Sequence, residues 1–176
     1  PHPDAKYPMV QSTADMLKDR DIVFIAVPTP HEPEYGGEKP TTHLPSRGFD
    51  LDIVRRVFDD IHEAGKVLSQ SDDWQWPAVV LISTVLPGTC RNELELQNYP
   101  FEVVYNPYLI AMGSVEWDMR NPDLIILGTK TGQFPPLIED ETGNISEDTL
   151  RDPVAKLIAL YDNLIENHTV YHDGGV

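Results

Sequence analysis

Residues 103–128, VVYNPYLIAMGSVEWDMRNPDLIILG, constrain the fold more than any other stretch of this chain. Val103, Val104 and Tyr105 form a β-rich run that stops at Asn106-Pro107. Proline cannot donate to a strand ladder, and it biases its predecessor away from helix. Asn121-Pro122-Asp123 is a second turn of the same chemistry, followed by an apolar run at 124–127. The reading is strand, polar turn, short helix, polar turn, strand. Strands that end in such turns along one edge are how open α/β sheets build ligand crevices.

The rest of the chain repeats the alternation. Ser12-Thr13 ahead of residues 14–18 predicts a capped single-turn helix. The run IVFIAV at 22–27 is continuous and rich in β-branched residues, as suits a parallel strand buried on both faces. Residues 28–49 carry five prolines and three glycines, so they read as a long loop. Loops of that length inside a compact domain are usually functional or mobile. From Asp50, the apolar positions Leu51, Ile53, Val54, Val57, Phe58, Ile61, Val67 and Leu68 recur at helical spacing to about residue 68.

A polar linker at 69–75 leads to a strand at 78–83, and Pro87 opens a helix over 88–96. Strands at 101–105 and 124–128 follow, then a polar, acidic insertion at 129–149. A helix at 150–165 carries Val154, Leu157, Ile158, Tyr161 and Leu164 on one face, and 168–171 reads as a closing strand. Strands alternating with helices through short connections predict an α/β, doubly wound parallel sheet, with residues 1–176 as one domain.

Composition narrows the function classes. At 176 residues one core can bury roughly 70% of the unfolded surface, and 40% apolar content is ordinary for a globular chain. Thirteen basic residues against 29 acidic ones give a formal charge of −16, which repels nucleic acid. An anionic ligand would then need local backbone donors against an unfavourable field. The single cysteine, Cys90, excludes an internal disulfide and suits a reducing cytoplasm. No apolar run approaches the ~18 residues of a membrane helix, and the first ten residues have no signal-peptide pattern. The chain opens on Pro1, which suggests processing or a fragment, and the motif content favours the fragment.

Two turns carry most of the chemistry. Val27-Pro28-Thr29-Pro30 leaves the carboxyl end of a strand, where ligands sit in such folds, although for this turn alone a simple strand stop is the plainer reading. At 82–89, ISTVLPGT, a strand ends in the hydroxyls of Ser83 and Thr84, and Pro87-Gly88 opens a helix whose N–H groups face the same crevice. Ser83 and Thr84 acting only as turn caps is the competing structural reading.

Together with Asn106-Pro107-Tyr108-Leu109 and the later NPD turn, these motifs resemble the nucleotide-binding half of the UDP-glucose/GDP-mannose dehydrogenase family. The resemblance covers about 10–128 and 150–173, with 33–47 and 129–149 as insertions. It implies a Rossmann-like fold, NAD as cofactor and a nucleotide sugar as substrate. The complete enzyme would be a homodimer that oxidises a C6 alcohol to a carboxylate in two steps. It further implies that Thr84 helps hold a catalytic water beside the nicotinamide. Val27, Thr29, Pro30 and Ser83 would line the cofactor crevice, and Asn106, Tyr108, Leu109 and Met112 the sugar side.

Three departures stand out. Tyr108 and Met112 occupy positions where the family has glutamates, and neither is a carboxylate base at pH 7, so sugar specificity and the second oxidation do not follow. None of the eleven glycines forms G-x-G-x-x-G, so the first glycine-rich βαβ element is lacking. Two or three missing charge-assisted N–H bonds would weaken dinucleotide binding roughly 10²–10⁶-fold. Cys90 lies in TCRNE and does not match the family's nucleophile loop, so it reads as an ordinary helix cysteine.

The chain alone is therefore expected to be inactive. The alternative of another class is a non-catalytic binding or assembly module on the same sheet. Smaller signals read as bland. His31, Glu32, Glu34 and His43 fit no metal spacing, so no metal site is expected. Residues 139–144 lack the register of a calcium loop. Asn144 and Asn167 are glycosylation sequons by pattern only.

Overall fold

A computed structural model describes residues 9–110, 113–143 and 145–164. Met112, the sequon residues Asn144 and Asn167, and the expected strand at 168–171 lie outside the described residues. The elements run α1 (Thr13–Leu17), β1 (Ile22–Ile25), α2 (Asp52–Leu68), β2 (Ala78–Leu81), α3 (Thr89–Asn92), β3 (Val103–Tyr105), α4 (Val115–Arg120), β4 (Gly128–Thr129) and α5 (Pro153–Leu164). Single 3₁₀ turns occur at Pro33–Tyr35, Leu96–Asn98 and Thr149–Arg151.

The sheet has the order β1-β2-β3-β4. β1 pairs β2 in parallel with Ile22 opposite Ala78, and β2 pairs β3 in parallel with Val79 opposite Val103. Strand alternation divides the core into two layers. Val23, Ile25, Val79, Leu81 and Val103 face α1 and α2, where Leu17, Val54, Phe58 and Ile61 pack. Val80 and Val104 face α5, where Val154, Leu157, Ile158 and Tyr161 pack with Ile125 and Leu127. Helices thus cover both faces, as a doubly wound sheet requires.

Local chemistry sets the boundaries. Ser12 Oγ accepts from the Asp15 amide at 3.1 Å and caps α1. The Asp50 carboxylate accepts from the Asp52 amide at 2.9 Å, so Asp50 lies outside α2 and satisfies the donor of its first residue. Asp152 likewise precedes α5, accepting from Val154 and Ala155 at 2.8 and 3.1 Å, with Pro153 at the first helical position.

Three expectations are corrected. The segment at 124–128 is not a parallel strand: only Gly128–Thr129 pairs, antiparallel to β3, with Val104 opposite Thr129. A parallel return needs a crossover helix packed on the sheet. Among the described residues, the connection contains only the six-residue α4, whose Val115, Trp117 and Met119 are exposed. The chain therefore comes back along β3 in the opposite sense, burying Ile125 and Leu127 on one side only.

The helix at 88–96 shrinks to α3. Leu94 and Leu96 are both buried in the α2-side layer, yet residues two apart point to opposite sides of a helix. The chain resolves this by leaving helix, with Glu95 at φ 49°. The run at 22–27 is not buried throughout: Phe24, on the α5 side, is 41% exposed, because β1 is the outermost strand among the described residues. Its loop, 28–49, contains one 3₁₀ turn and is closed at its base where the Asp50 amide donates to Pro30 O at 2.7 Å. The acidic segment carries one isolated antiparallel bridge, Glu139 to Ile145. No described helix is long and apolar enough to cross a membrane.

At the amino ends of β2 and β3 an aromatic cluster locks α2 to the sheet. Trp76 lies 5.1 Å from Phe101 and 6.0 Å from Trp74, centroid to centroid, and Tyr99 lies 5.4 Å from Phe58. Gly65 makes this possible, since a Cβ built there would lie 2.0 Å from two atoms of the Trp76 indole. Alanine would gain ~1 kcal/mol in helix propensity. Displacing the indole outweighs that gain, so Gly65→Ala is expected to lower stability by about 2 kcal/mol, read as a lower urea midpoint.

Burial and the Asp59 carboxylate, which accepts from the Tyr99 hydroxyl at 2.7 Å, push the Tyr99 phenol up to about 12. Its folded value lies above the unfolded one, near 10. This contribution is therefore complete below about pH 10 and is lost as pH rises through about 12. Denaturation midpoints are expected to fall over that window, and to fall less in Tyr99→Phe.

Candidate functional site

The carboxyl ends of β1, β2 and β3 present three turns along one edge of the sheet, and side chains bind them to one another. The Val27 amide donates to Ser83 Oγ at 2.8 Å, and the Ser83 hydroxyl donates back to Val27 O at 2.7 Å. Thr29 Oγ1 donates to Thr84 O at 2.8 Å. Below this clasp, the parallel ladder ends with Ile82 N donating to Ile25 O at 2.8 Å. Val27, Thr29, Ser83 and Thr84 are thereby brought together.

Their environments differ. Ser83 is 7% exposed and its hydroxyl is committed to Val27 in both directions, so it shapes the turn from within. Val27 and Thr29 are half-buried, while Thr84 and Pro30 stand exposed on the rim. Gly88 has φ 84°, a left-handed conformation that allows the chain to turn sharply into α3. Since α3 is a single turn, its dipole gives an anion little help.

The third turn is built around Asn106, only 1% exposed. Its amide donates to Leu81 O at 2.8 Å, which ties it to β2, and its side-chain Nδ2 donates to Ile126 O at 2.9 Å. Its side-chain Oδ1 accepts from the hydroxyl of Tyr161 on α5. Asn106 thus acts on the turn, and the groups offered outward are the half-buried Tyr108 and the exposed Leu109. These two share a small hollow with Pro107, Pro122 and Leu124.

The part that Tyr105 and Tyr161 play at these turns escaped the sequence reading, which placed them only in a strand and on a helix face. The Tyr105 hydroxyl donates to Val85 O and accepts from Val85 N, both at 3.3 Å, and so binds the second turn to β3. Tyr161 had a signal only as an apolar-face residue of the last helix. Burial, with Tyr108 beside it, pushes its phenol far above the ordinary tyrosine value.

Cys90 is half-buried, and burial pushes its thiol up to about 11, so at pH 7 it is not a thiolate. It lines a cavity of about 50 Å³ with Arg91, Val103, Tyr105 and Lys130. The Lys130 ammonium donates to Phe101 O and Tyr99 O at 2.6 and 3.0 Å, which fastens β4 to the chain entering β3. Among the described residues, no three His, Cys, Asp or Glu side chains come together to hold a metal ion.

Residues 4–140 match the sequence profile described as the UDP-glucose/GDP-mannose dehydrogenase family, NAD binding domain. The UDP-glucose 6-dehydrogenase of Bos taurus is 29% identical over 118 residues, covering 65% of this chain and 21% of that protein. That of Caenorhabditis elegans is 26% identical over 157 residues, covering 88% of this chain and 27% of the relative. A UDP-glucose dehydrogenase structure from Pyrobaculum islandicum superposes with a TM-score of 0.60 at 22% identity, over 94% of this chain and 31% of that one, which shows the shared fold. The chain therefore spans less than a third of the length of these relatives. With its profile match running through all three turns, the chain belongs to the UDP-glucose/GDP-mannose dehydrogenase family and represents its NAD-binding domain.

Proposed function

We propose that this chain forms part of the NAD-binding half of a nucleotide-sugar dehydrogenase, an enzyme that oxidises the C6 alcohol of a UDP- or GDP-sugar to a carboxylate. The observation that carries the reading is the clasp of Val27 on Ser83 and of Thr29 on Thr84 at the carboxyl ends of adjacent parallel strands. This is where open α/β sheets bind their ligands. NAD, when bound, supplies the hydride acceptor.

The residues present fit one end of that dinucleotide. Thr84 offers a hydroxyl at the rim, Thr29 an oxygen whose proton is already given to Thr84 O, Val27 and Pro30 an apolar wall, and Ser83 holds both turns from beneath. They do not fit the pyrophosphate, for which this sequence has no glycine cradle. Thr84, exposed beside the clasp, is the candidate for holding water against the reacting carbon. On the sugar side, Asn106 shapes the turn while Tyr108 and Leu109 face the ligand, and Met112 belongs to the same stretch.

Tyr108 supplies a phenol, not a carboxylate, so the chain contributes a hydrogen-bonding group at this position and no base. The charge of −16 supports a small-molecule partner over nucleic acid. A cytoplasmic location and a homodimeric complete enzyme follow from the same reading.

Titration of the chain with NAD, followed by ¹⁵N NMR, tests this. Weak binding with a Kd of about a millimolar is expected, with shifts concentrated at 27–30 and 82–85. Ser83→Ala, which leaves Val27 unpaired, is expected to weaken it about two- to tenfold. NAD-induced shifts that avoid both turns would overturn the reading. With UDP-glucose and NAD together, the chain alone is expected to produce no NADH.

A further inference from the structure

Tyr161 lies on α5, far in sequence from the three turns, yet only 2% of it is exposed and its hydroxyl meets one of them. Its ring sits in an apolar seat with Val104, Ile125, Leu127 and Ile158. Phenylalanine would fill the same seat without burying a hydroxyl, and a buried hydroxyl is costly unless it is bonded. Its bond is to Asn106 Oδ1, and the other arm of that amide is committed to Ile126 O at 2.9 Å. The Tyr161 ring lies 6.3 Å from the ring of Tyr108, tilted by 48°.

These contacts determine the turn step by step. The Tyr161 donor and the Ile126 acceptor together define which way the Asn106 amide is oriented. Asn106 is 1% exposed, so water does not take the place of either partner. Pro107 already restricts the Asn106 backbone to extended conformations. With side chain and backbone both restricted, the direction in which Tyr108 leaves the turn is set, and the Tyr161 ring supports it from behind.

We propose that Tyr161 is a positioning residue: acting through Asn106 and Tyr108, it holds the turn that faces the nucleotide sugar. This rests on the assignment of that turn under Proposed function. Burial, with Tyr108 beside it, raises the phenol above the ordinary tyrosine value, so at neutral pH the hydroxyl keeps the proton it donates to Asn106. No part of this role requires Tyr161 to touch the ligand.

The test uses the whole chain, with UDP-glucose and, separately, NAD as probes, and follows tyrosine ring and asparagine side-chain resonances. In Tyr161→Phe the Asn106 amide and Tyr108 ring signals are expected to move. The affinity for UDP-glucose should fall about two- to tenfold while that for NAD is unchanged. UDP-glucose binding that is undiminished in Tyr161→Phe, with Tyr108 still responding, overturns this inference alone. A wild-type chain whose Tyr108 ignores UDP-glucose overturns it together with the substrate-side reading.

If Tyr161→Phe does not fold, fluorotyrosine at position 161 keeps hydroxyl and packing. Its ¹⁹F resonance is expected to shift with UDP-glucose and not with NAD, and indifference to UDP-glucose overturns the inference.

Discussion

No side chain of β2 touches water: Ala78, Val79, Val80 and Leu81 are all fully buried. A strand of this kind is stable only when it is paired on both edges and covered on both faces. β1 and β3 supply the edges, α2 and α5 the faces. Burying the larger of these side chains contributes about 1.5–3 kcal/mol each, an amount no single surface contact matches. The turn that leaves β2, carrying Ser83 and Thr84, is consequently anchored from four directions before any ligand arrives. Everything placed at the carboxyl edge of the sheet takes its position from this strand.

The edge is then tied by side chains where the backbone ladder runs out. Ser83 joins β2 to the turn after β1, Tyr105 joins β3 to the turn after β2, and Asn106 joins the turn after β3 to the segment entering β4. Each of these is a polar group that finds its partner on a neighbouring strand's turn. A rim assembled in this way is organised ahead of binding, so less conformational freedom is lost when a ligand is fixed. The opposite end of the sheet is held chiefly by packed aromatic rings and the absence of a side chain at Gly65. Interlocking polar clasps thus dominate the carboxyl end of the sheet, whereas at the other end ring packing dominates and the Tyr99–Asp59 and Lys130 hydrogen bonds supplement it.

Cys90 shows why residue type alone does not identify a site. The thiol is raised by burial, sits behind the second turn and faces a cavity too small for a dinucleotide, so it reads as packing. Lys130 is a cation in a strongly acidic chain, yet its ammonium is committed to two backbone carbonyls and serves β-sheet assembly.

What the sequence determined by itself was everything that depends on near neighbours. Apolar runs at 22–27 and 78–83 placed the parallel strands, and spacing at 51–68 placed α2. Asparagine-proline and proline-glycine pairs marked the turns, and those turns carried the family resemblance. Periodicity and turn chemistry report local backbone preference and burial, and these survive without knowledge of the partner.

Only tertiary structure decided the rest. It reversed the strand expected at 124–128, because among the described residues no packed crossover helix carries the chain back. It cut α3 to one turn, so that Leu94 and Leu96 could enter the same core. It turned Ser83 and Asn106 inward, onto partners 56 and 20 residues away, and brought Tyr161 beneath the third turn. A polar side chain does not reveal in sequence whether it will bond a ligand or a distant carbonyl. That choice belongs to whichever acceptor the folded chain brings within reach.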